Sequence, residues 1–129
     1  MRQRPQKPSA APWLYGRHAV AAALANPRRR LQRLLLTADA EAELARLTPK
    51  PWPVRPERTE ANALRALLGE AAVHQGAALL AEPLVAPALE DLLATTTGPV
   101  LVLDQVTDPR NVGAVLRSAA AFGAACVLV

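Results

Sequence analysis

Val100 to Val129 reads VLVLDQVTDPRNVGAVLRSAAAFGAACVLV, in which a β-branched apolar run, a polar turn and an amphipathic stretch follow one another. Val100–Asp104 has the composition of a buried strand ending on a carboxylate. Asp108-Pro109-Arg110-Asn111 has turn chemistry at every step, and Asn111 is placed to cap the helix that follows. The spacing predicts that helix over Val112–Phe122. At 100° per residue Val112, Val115, Leu116, Ala119 and Phe122 share one face, suited to packing on a sheet, and Arg110 and Arg117 lie together roughly opposite. Gly113 removes a side chain from the first turn, where a backbone or ligand could approach closely. Gly123 ends the helix, and Ala124–Val129 opens another strand. A strand, loop, helix and strand in this order form the repeating unit of an open α/β sheet, with the polar loop at the strand's C-terminal end, where such sheets place their sites. Neither G-x-G-x-x-G nor G-x-x-x-x-G-K-[ST] occurs, so the unit carries no dinucleotide fingerprint and no P-loop.

Upstream, β and α signals also alternate. Gly16–Asn26 is helical, with Val20, Ala23 and Leu24 on one face and a stop at Asn26-Pro27. Leu31–Thr37 is of strand length. Asp39 opens AEAELARL, with acids early and Arg46 late, as the helix dipole prefers. Trp52–Arg55 reads as extended chain between prolines. Glu57–Gly69 is helical, with Ala61, Leu64, Leu67 and Leu68 in phase and Gly69 as its stop. Ala77–Glu82 is a further strand. A small α/β sandwich over 13–86 accounts for this alternation. Residues 87–98 read as a linker holding a short helix over Pro87–Ala94, and residues 1–12, with three prolines and scattered cations, as a flexible basic tail.

Composition narrows the class. With 129 residues, 51% hydrophobic and 20% charged, the chain is globular rather than disordered. No apolar run approaches the ~20 residues of a bilayer span, and no secretory signal is apparent at the N-terminus, so a cytoplasmic location is expected. The lone Cys126 excludes an internal disulfide framework and a cysteine-based zinc site. The net charge of +4 is uneven: Met1–Ala38 holds eight basic residues (Arg2, Arg4, Lys7, Arg17, Arg28, Arg29, Arg30, Arg33) and no acid, and the remainder carries −4. A polyanion would meet the N-terminal third first. Charge alone leaves this open, because GC-rich coding also produces sequences rich in Arg, Ala and Pro.

The string Asp104–Gly123, DQVTDPRNVGAVLRSAAAFG, resembles the first signature of the SpoU (TrmH-like) branch of the SPOUT RNA methyltransferases. That signature runs D-x-V-x-D-P-x-N-x-G, then R-[ST]-A and an aromatic-Gly. A separate likeness lies upstream. WLYGRHAVAAAL (Trp13–Leu24) and VHQGAALLAEPL (Val73–Leu84) are similar to the opening and close of the substrate-binding domain that precedes this catalytic domain. Together they resemble most the members that methylate a guanosine ribose of 23S ribosomal RNA. The implied fold is an RNA-binding α/β sandwich followed by the first β-α-β of an α/β-knot domain, with the knot itself missing. The implied reaction is methyl transfer from S-adenosylmethionine to a ribose 2′-hydroxyl, by a homodimer.

Carried onto matching positions, the resemblance makes Arg117 and Asn111 the catalytic candidates. A guanidinium is a poor proton acceptor, so Arg117 suits bidentate anchoring of a phosphate and stabilisation of a developing alkoxide. Asn111 can cap the helix and offer its amide to RNA. Asp104 and Asp108 read as structural carboxylates, and Arg110 as an RNA contact. In the first domain Tyr15, Gly16, Arg17 and His18 fall at a helix start, where amide N–H groups and a cation favour phosphate. Plain packing is the competing role for Tyr15 and His18. His74 and Gln75 either touch RNA or only build a turn before the strand, and Arg28, Arg29 and Arg30 form a solvated loop adding salt-sensitive attraction. The family's Asn-x-Glu-x-x-Gly and Ser-[LI]-Asn-[VI]-[SA] segments, which build the cofactor pocket and knot, have no counterpart here, since the three Asn residues are Asn26, Asn62 and Asn111. The chain is therefore expected to be an N-terminal piece, cut through the strand AACVLV, that binds no S-adenosylmethionine and no metal. A stand-alone RNA-binding module and a generic α/β interaction domain are the competing readings.

Overall fold

A computed structural model describes residues 11–129, and all but Ala11 and Pro12 of the basic tail expected at 1–12 lies outside the described residues. The chain divides into two compact units, Met1–Leu84 and Val85–Val129.

The first unit contains β1 (Trp13–Tyr15), α1 (Arg17–Leu24), β2 (Leu31–Leu36), α2 (Ala38–Leu47), β3 (Pro56–Arg58), α3 (Ala61–Leu68) and β4 (Ala77–Ala81). Its sheet runs β1-β4-β2-β3, with β4 antiparallel to both neighbours and β2 parallel to β3. Side chains alternate across it. Leu34, Leu36, Ala77, Leu79 and Ala81 pack with Val20, Ala23 and Leu24 of α1 and Ala40 and Leu44 of α2. Leu35 and Ala78 face the other way, onto Leu64 of α3, with Trp13 and Leu68 at the margin. Both faces of the sheet are thus covered, which is why β2 ends in three consecutive leucines rather than alternating with polar residues. Burying one such leucine contributes about 1.5–3 kcal/mol, whereas an exposed ion pair contributes about 0–1 kcal/mol, so the two apolar layers and not the surface pairs hold the unit together.

Three boundaries move. The helix expected over Glu57–Gly69 starts at Ala61, because Glu57 and Arg58 are taken into the parallel ladder opposite Leu35 and Leu36, and Thr59 N donates to Leu36 O. The extended stretch expected at Trp52–Arg55 is not the strand. Pro51 and Pro53 bring no N–H to a ladder, so pairing begins at Pro56, the first position of an edge strand, where proline is tolerated. Helix α2 opens one residue before Asp39, on Thr37, whose hydroxyl accepts from Ala40 N at 3.4 Å.

The second unit contains α4 (Leu89–Thr95), β5 (Val100–Val102), α5 (Pro109–Ala121) and β6 (Cys126–Leu128), with β5 and β6 paired in parallel. Asn111 does not cap α5. Pro109 has its φ preset for a first helical position, which makes Asp108 the cap: its Oδ1 accepts from Arg110 N at 2.8 Å and leaves Asn111 inside the first turn. At the other end Gly123 N donates to Ala120 O and Ala124 N to Ala119 O, the paired bonds of a Schellman stop. Ala119 is buried, but Leu116 is 47% and Phe122 82% exposed, so the expected apolar face is covered only in part. Phe122 has left the helix by then and sits at its C-cap.

Candidate nucleic-acid interface

In the first unit the turn His74–Gly76 is docked against the start of α1. Gly16, with φ of 91°, precedes the helix without a side chain able to cap it. Gln75 supplies the cap from across the fold. Its Oε1 accepts from Arg17 N at 3.1 Å, and its carbonyl accepts from Arg17 Nε at 3.2 Å. The first amide of α1, expected to be open to phosphate, is therefore engaged. The consequence for the guanidinium is favourable, because anchoring Nε fixes the plane while both Nη groups make no hydrogen bond among the described residues. Tyr15 and His18 flank Arg17 and are exposed. His74 is 8% exposed, and its Nδ1 accepts from Gly76 N at 3.0 Å, so this imidazole shapes the turn from inside. Gly76, with φ of 77°, in turn accepts from Thr37 N at 2.9 Å, tying the turn to the start of α2.

The other expected cations are not gathered here. Arg28, Arg29 and Arg30 follow the far end of α1, about 12 Å away along an eight-residue helix. Arg29 Nη1 donates to Glu82 O at 3.4 Å, and Arg30 stands 4.0 Å from the Glu82 carboxylate. Arg33 is held by Glu57 in a two-bond fork at 3.0 and 2.7 Å. Those bonds hold the Glu57 carboxyl below the usual carboxylate range and raise the Arg33 guanidinium above its own. Glu41 is likewise lowered, chiefly by its bond from Lys50 at 2.6 Å and also by Arg58 at 3.0 Å. The N-terminal charge excess thus overstates what a polyanion would meet, since one of its arginines is neutralised within the sheet.

In the second unit the loop between β5 and α5 and the exposed side of α5 carry the candidates. Asp104, Arg110 and Asn111 are exposed, and Gln105 adopts a positive φ of 54° in the loop. Arg117 lies back over the first turn: a Cβ added to Gly113 would stand 3.5 Å from its Nη1. Arg110, Gly113 and Arg117 therefore form one stripe, while Asn111 stands about 120° around the helix from Arg117, so α5 alone does not bring the two catalytic candidates together. S-adenosylmethionine needs a concave site enclosing most of its surface. This unit offers two paired strands and two helices, with Val102 68% and Val129 96% exposed, and these residues do not fit that requirement. No group of three His, Cys, Asp or Glu side chains placed to hold a metal occurs among the described residues. Nor is any described helix long and apolar enough to cross a membrane.

A surface that sequence reasoning passed over lies at Lys50–Pro56, where prolines alternate with Lys50, Trp52, Val54 and Arg55 and line a groove of about 620 Å³. The alternation of proline with cations and an aromatic was the available signal.

Residues 13–86 match the family described as RNA 2'-O ribose methyltransferase substrate binding, and residues 98–129 match the SpoU rRNA Methylase family. Among curated proteins the chain is 39% identical over 131 residues to the 23S rRNA (guanosine-2'-O-)-methyltransferase RlmB of Pseudomonas putida, a match covering 90% of this chain and 49% of that protein. It is 35% identical over 120 residues to an uncharacterized tRNA/rRNA methyltransferase of Synechocystis, covering 86% of this chain and 31% of that protein. A namesake in Mycobacterium avium is 46% identical over 61 residues, 44% of this chain and 20% of its own length. The chain spans about half the length, or less, of the curated relatives it matches.

Proposed function

Since the chain belongs to the RNA 2'-O ribose methyltransferase substrate-binding family and continues into a SpoU rRNA methylase segment, we propose that it serves methylation of a ribose 2′-hydroxyl in ribosomal RNA. Its first unit grips structured RNA at the start of α1. The observation that carries this reading is the Arg17–Gln75 pair: a guanidinium fixed at Nε, whose two Nη groups make no hydrogen bond among the described residues, can match the two oxygens of a phosphate. Tyr15 and His18 lie alongside it, and His74 and Gly76 hold the turn that supports it. The target is 23S ribosomal RNA, the working form a homodimer, and the location the cytoplasm.

In the second unit Arg117 anchors the phosphate next to the reacting ribose and stabilises the alkoxide as it develops. A fixed positive charge does this without accepting the proton itself. Arg110, on the same stripe, adds a second phosphate contact, and Asn111 offers its amide to the RNA from the adjoining face. Methyltransferases of the SpoU family depend on S-adenosylmethionine, and no step is assigned here to the cofactor, because the described residues do not fit it. Isothermal titration of this chain with S-adenosylmethionine is expected to show no specific heat; a saturable heat at micromolar concentrations would contradict the fit argument.

RNA binding is tested by anisotropy of a labelled stem–loop from 23S ribosomal RNA, titrated at low and moderate salt. Arg17→Ala is expected to weaken binding about tenfold or more and to reduce the slope of log K against log salt by about one. Equal affinity and slope for both proteins would remove Arg17 from the interface.

A further inference from the structure

The groove at Lys50–Pro56 is separate from the Arg17 interface and is used by no step above. Lys50, Pro51, Trp52, Val54, Arg55 and Pro56 line it. Three of its features bear on what it can hold. First, it is preformed: Pro51, Pro53 and Pro56 restrict the backbone, Trp52 Nε1 donates to Thr48 O at 3.0 Å, and the Trp52 and Val54 side chains pack against the main core cluster. A rigid groove loses little conformational entropy when filled. Second, its lining is apolar and ring-rich, with the Lys50 ammonium 4.8 Å from the centre of the Trp52 ring. Third, its charge has one sign. Lys50 and Arg55 are its charged lining residues, and Glu41, the acid of α2 that reaches Lys50, is held by Lys50 and Arg58, while Glu43 pairs with Arg46. Alternation along β3 turns Glu57 to the other face, where Arg33 holds it. Arg55 is exposed and makes no ion pair among the described residues.

A flat apolar floor with a cationic rim fits a nucleobase whose phosphate reaches the rim. We infer that this groove is a second RNA contact, which takes an unpaired nucleotide flanking the structured element gripped at Arg17. The inference rests on the RNA-binding reading above. With Trp52 Nε1 already bonded within the fold, the contact is made through ring faces and charge, and it is tolerant of base identity.

Two labelled probes test it with the full chain: a stem–loop RNA, and the same stem–loop bearing an unpaired oligouridine tail. The tail is expected to raise affinity about tenfold, and swapping uridines for adenosines to change that gain less than threefold. In a Trp13→Phe background, the tailed RNA should quench the fluorescence of Trp52 and the untailed RNA should not. Arg55→Glu is expected to abolish the gain from the tail while leaving affinity for the untailed stem–loop unchanged, and Arg65→Glu, on α3 across the sheet, to leave the gain intact. A tail that adds nothing, a gain equally sensitive to Arg65→Glu, or quenching by a polyglutamate peptide but not by RNA would overturn the groove assignment. Binding of the untailed stem–loop would still uphold the Arg17 interface. If neither RNA binds, both readings fall.

Discussion

Gly76→Ala is expected to lower the stability of the first unit by about 2–4 kcal/mol, and its thermal midpoint by roughly 10–30 °C. Two effects add. The backbone sits at φ of 77°, which a side chain disfavours, and the new Cβ would collide with Thr37 Oγ1 and come within 2.9 Å of the Ala40 Cβ. Neither neighbour can withdraw easily, because Thr37 Oγ1 caps α2 and Ala40 is fully buried beneath it. Gly69→Ala separates the terms. Gly69 has φ of 95° with no atom within 4 Å of an added Cβ, so only backbone strain remains there, and a loss of about 1 kcal/mol is expected. Trp13 and Trp52 both lie in this unit, so unfolding followed by tryptophan fluorescence reports on it alone. Equal shifts for the two variants would show that contact with Thr37 and Ala40 is unimportant.

Arg117→Ala is expected to lower methyl transfer at least a hundredfold once the segment is placed in a working enzyme. A chimera in which this chain replaces the matching half of the Pseudomonas putida protein provides that setting. Affinity for S-adenosylmethionine should be essentially unchanged, since the role proposed for Arg117 lies on the RNA side. Arg117→Lys keeps the charge but loses the fork, so recovery of a minor part of the rate is expected. Turnover equal to that of the unsubstituted chimera would refute the role. Gly113→Ala probes the same side chain more gently: its Cβ would rest at 3.5 Å from Arg117 Nη1, an ordinary contact that still restricts the guanidinium.

Much of the fold is legible in the residues because local signals and tertiary demands agree. Gly69 and Gly123 mark helix ends, and the leucine run of β2 has the length and composition of a strand. Disagreement arises where a partner distant in sequence decides. Glu57 and Arg58 look like a helix start until β2 claims them as a parallel edge, with Arg33 and Glu41 holding their side chains. Asn111 reads as a cap because its residue type is right, but Pro109 moves the helix start three residues earlier. The site follows the same division. The segments carrying Arg17 and Arg117 stand out as strings, whereas the Gln75 bonds that orient Arg17 span 58 positions and leave no local trace. The net charge of the N-terminal third could not reveal that Arg33 is neutralised by a residue 24 positions away.

The strand order carries a consequence for how the first unit comes into being. Strand β4 lies between β1 and β2, so Trp13 meets Leu80 and Leu34 meets Leu79, and β1 and β2 share no bond of their own. A nascent chain can pair β2 with β3 early, but β1 must wait for the last strand to emerge. Until Ala77–Ala81 is made, the leucines of β2 have nothing on one side to pair with, and the Arg17 interface cannot exist, because Gln75 and its turn belong to the same late segment. On the ribosome, the unit's shape and the surface proposed to grip RNA are therefore acquired together, at the end of this unit's synthesis.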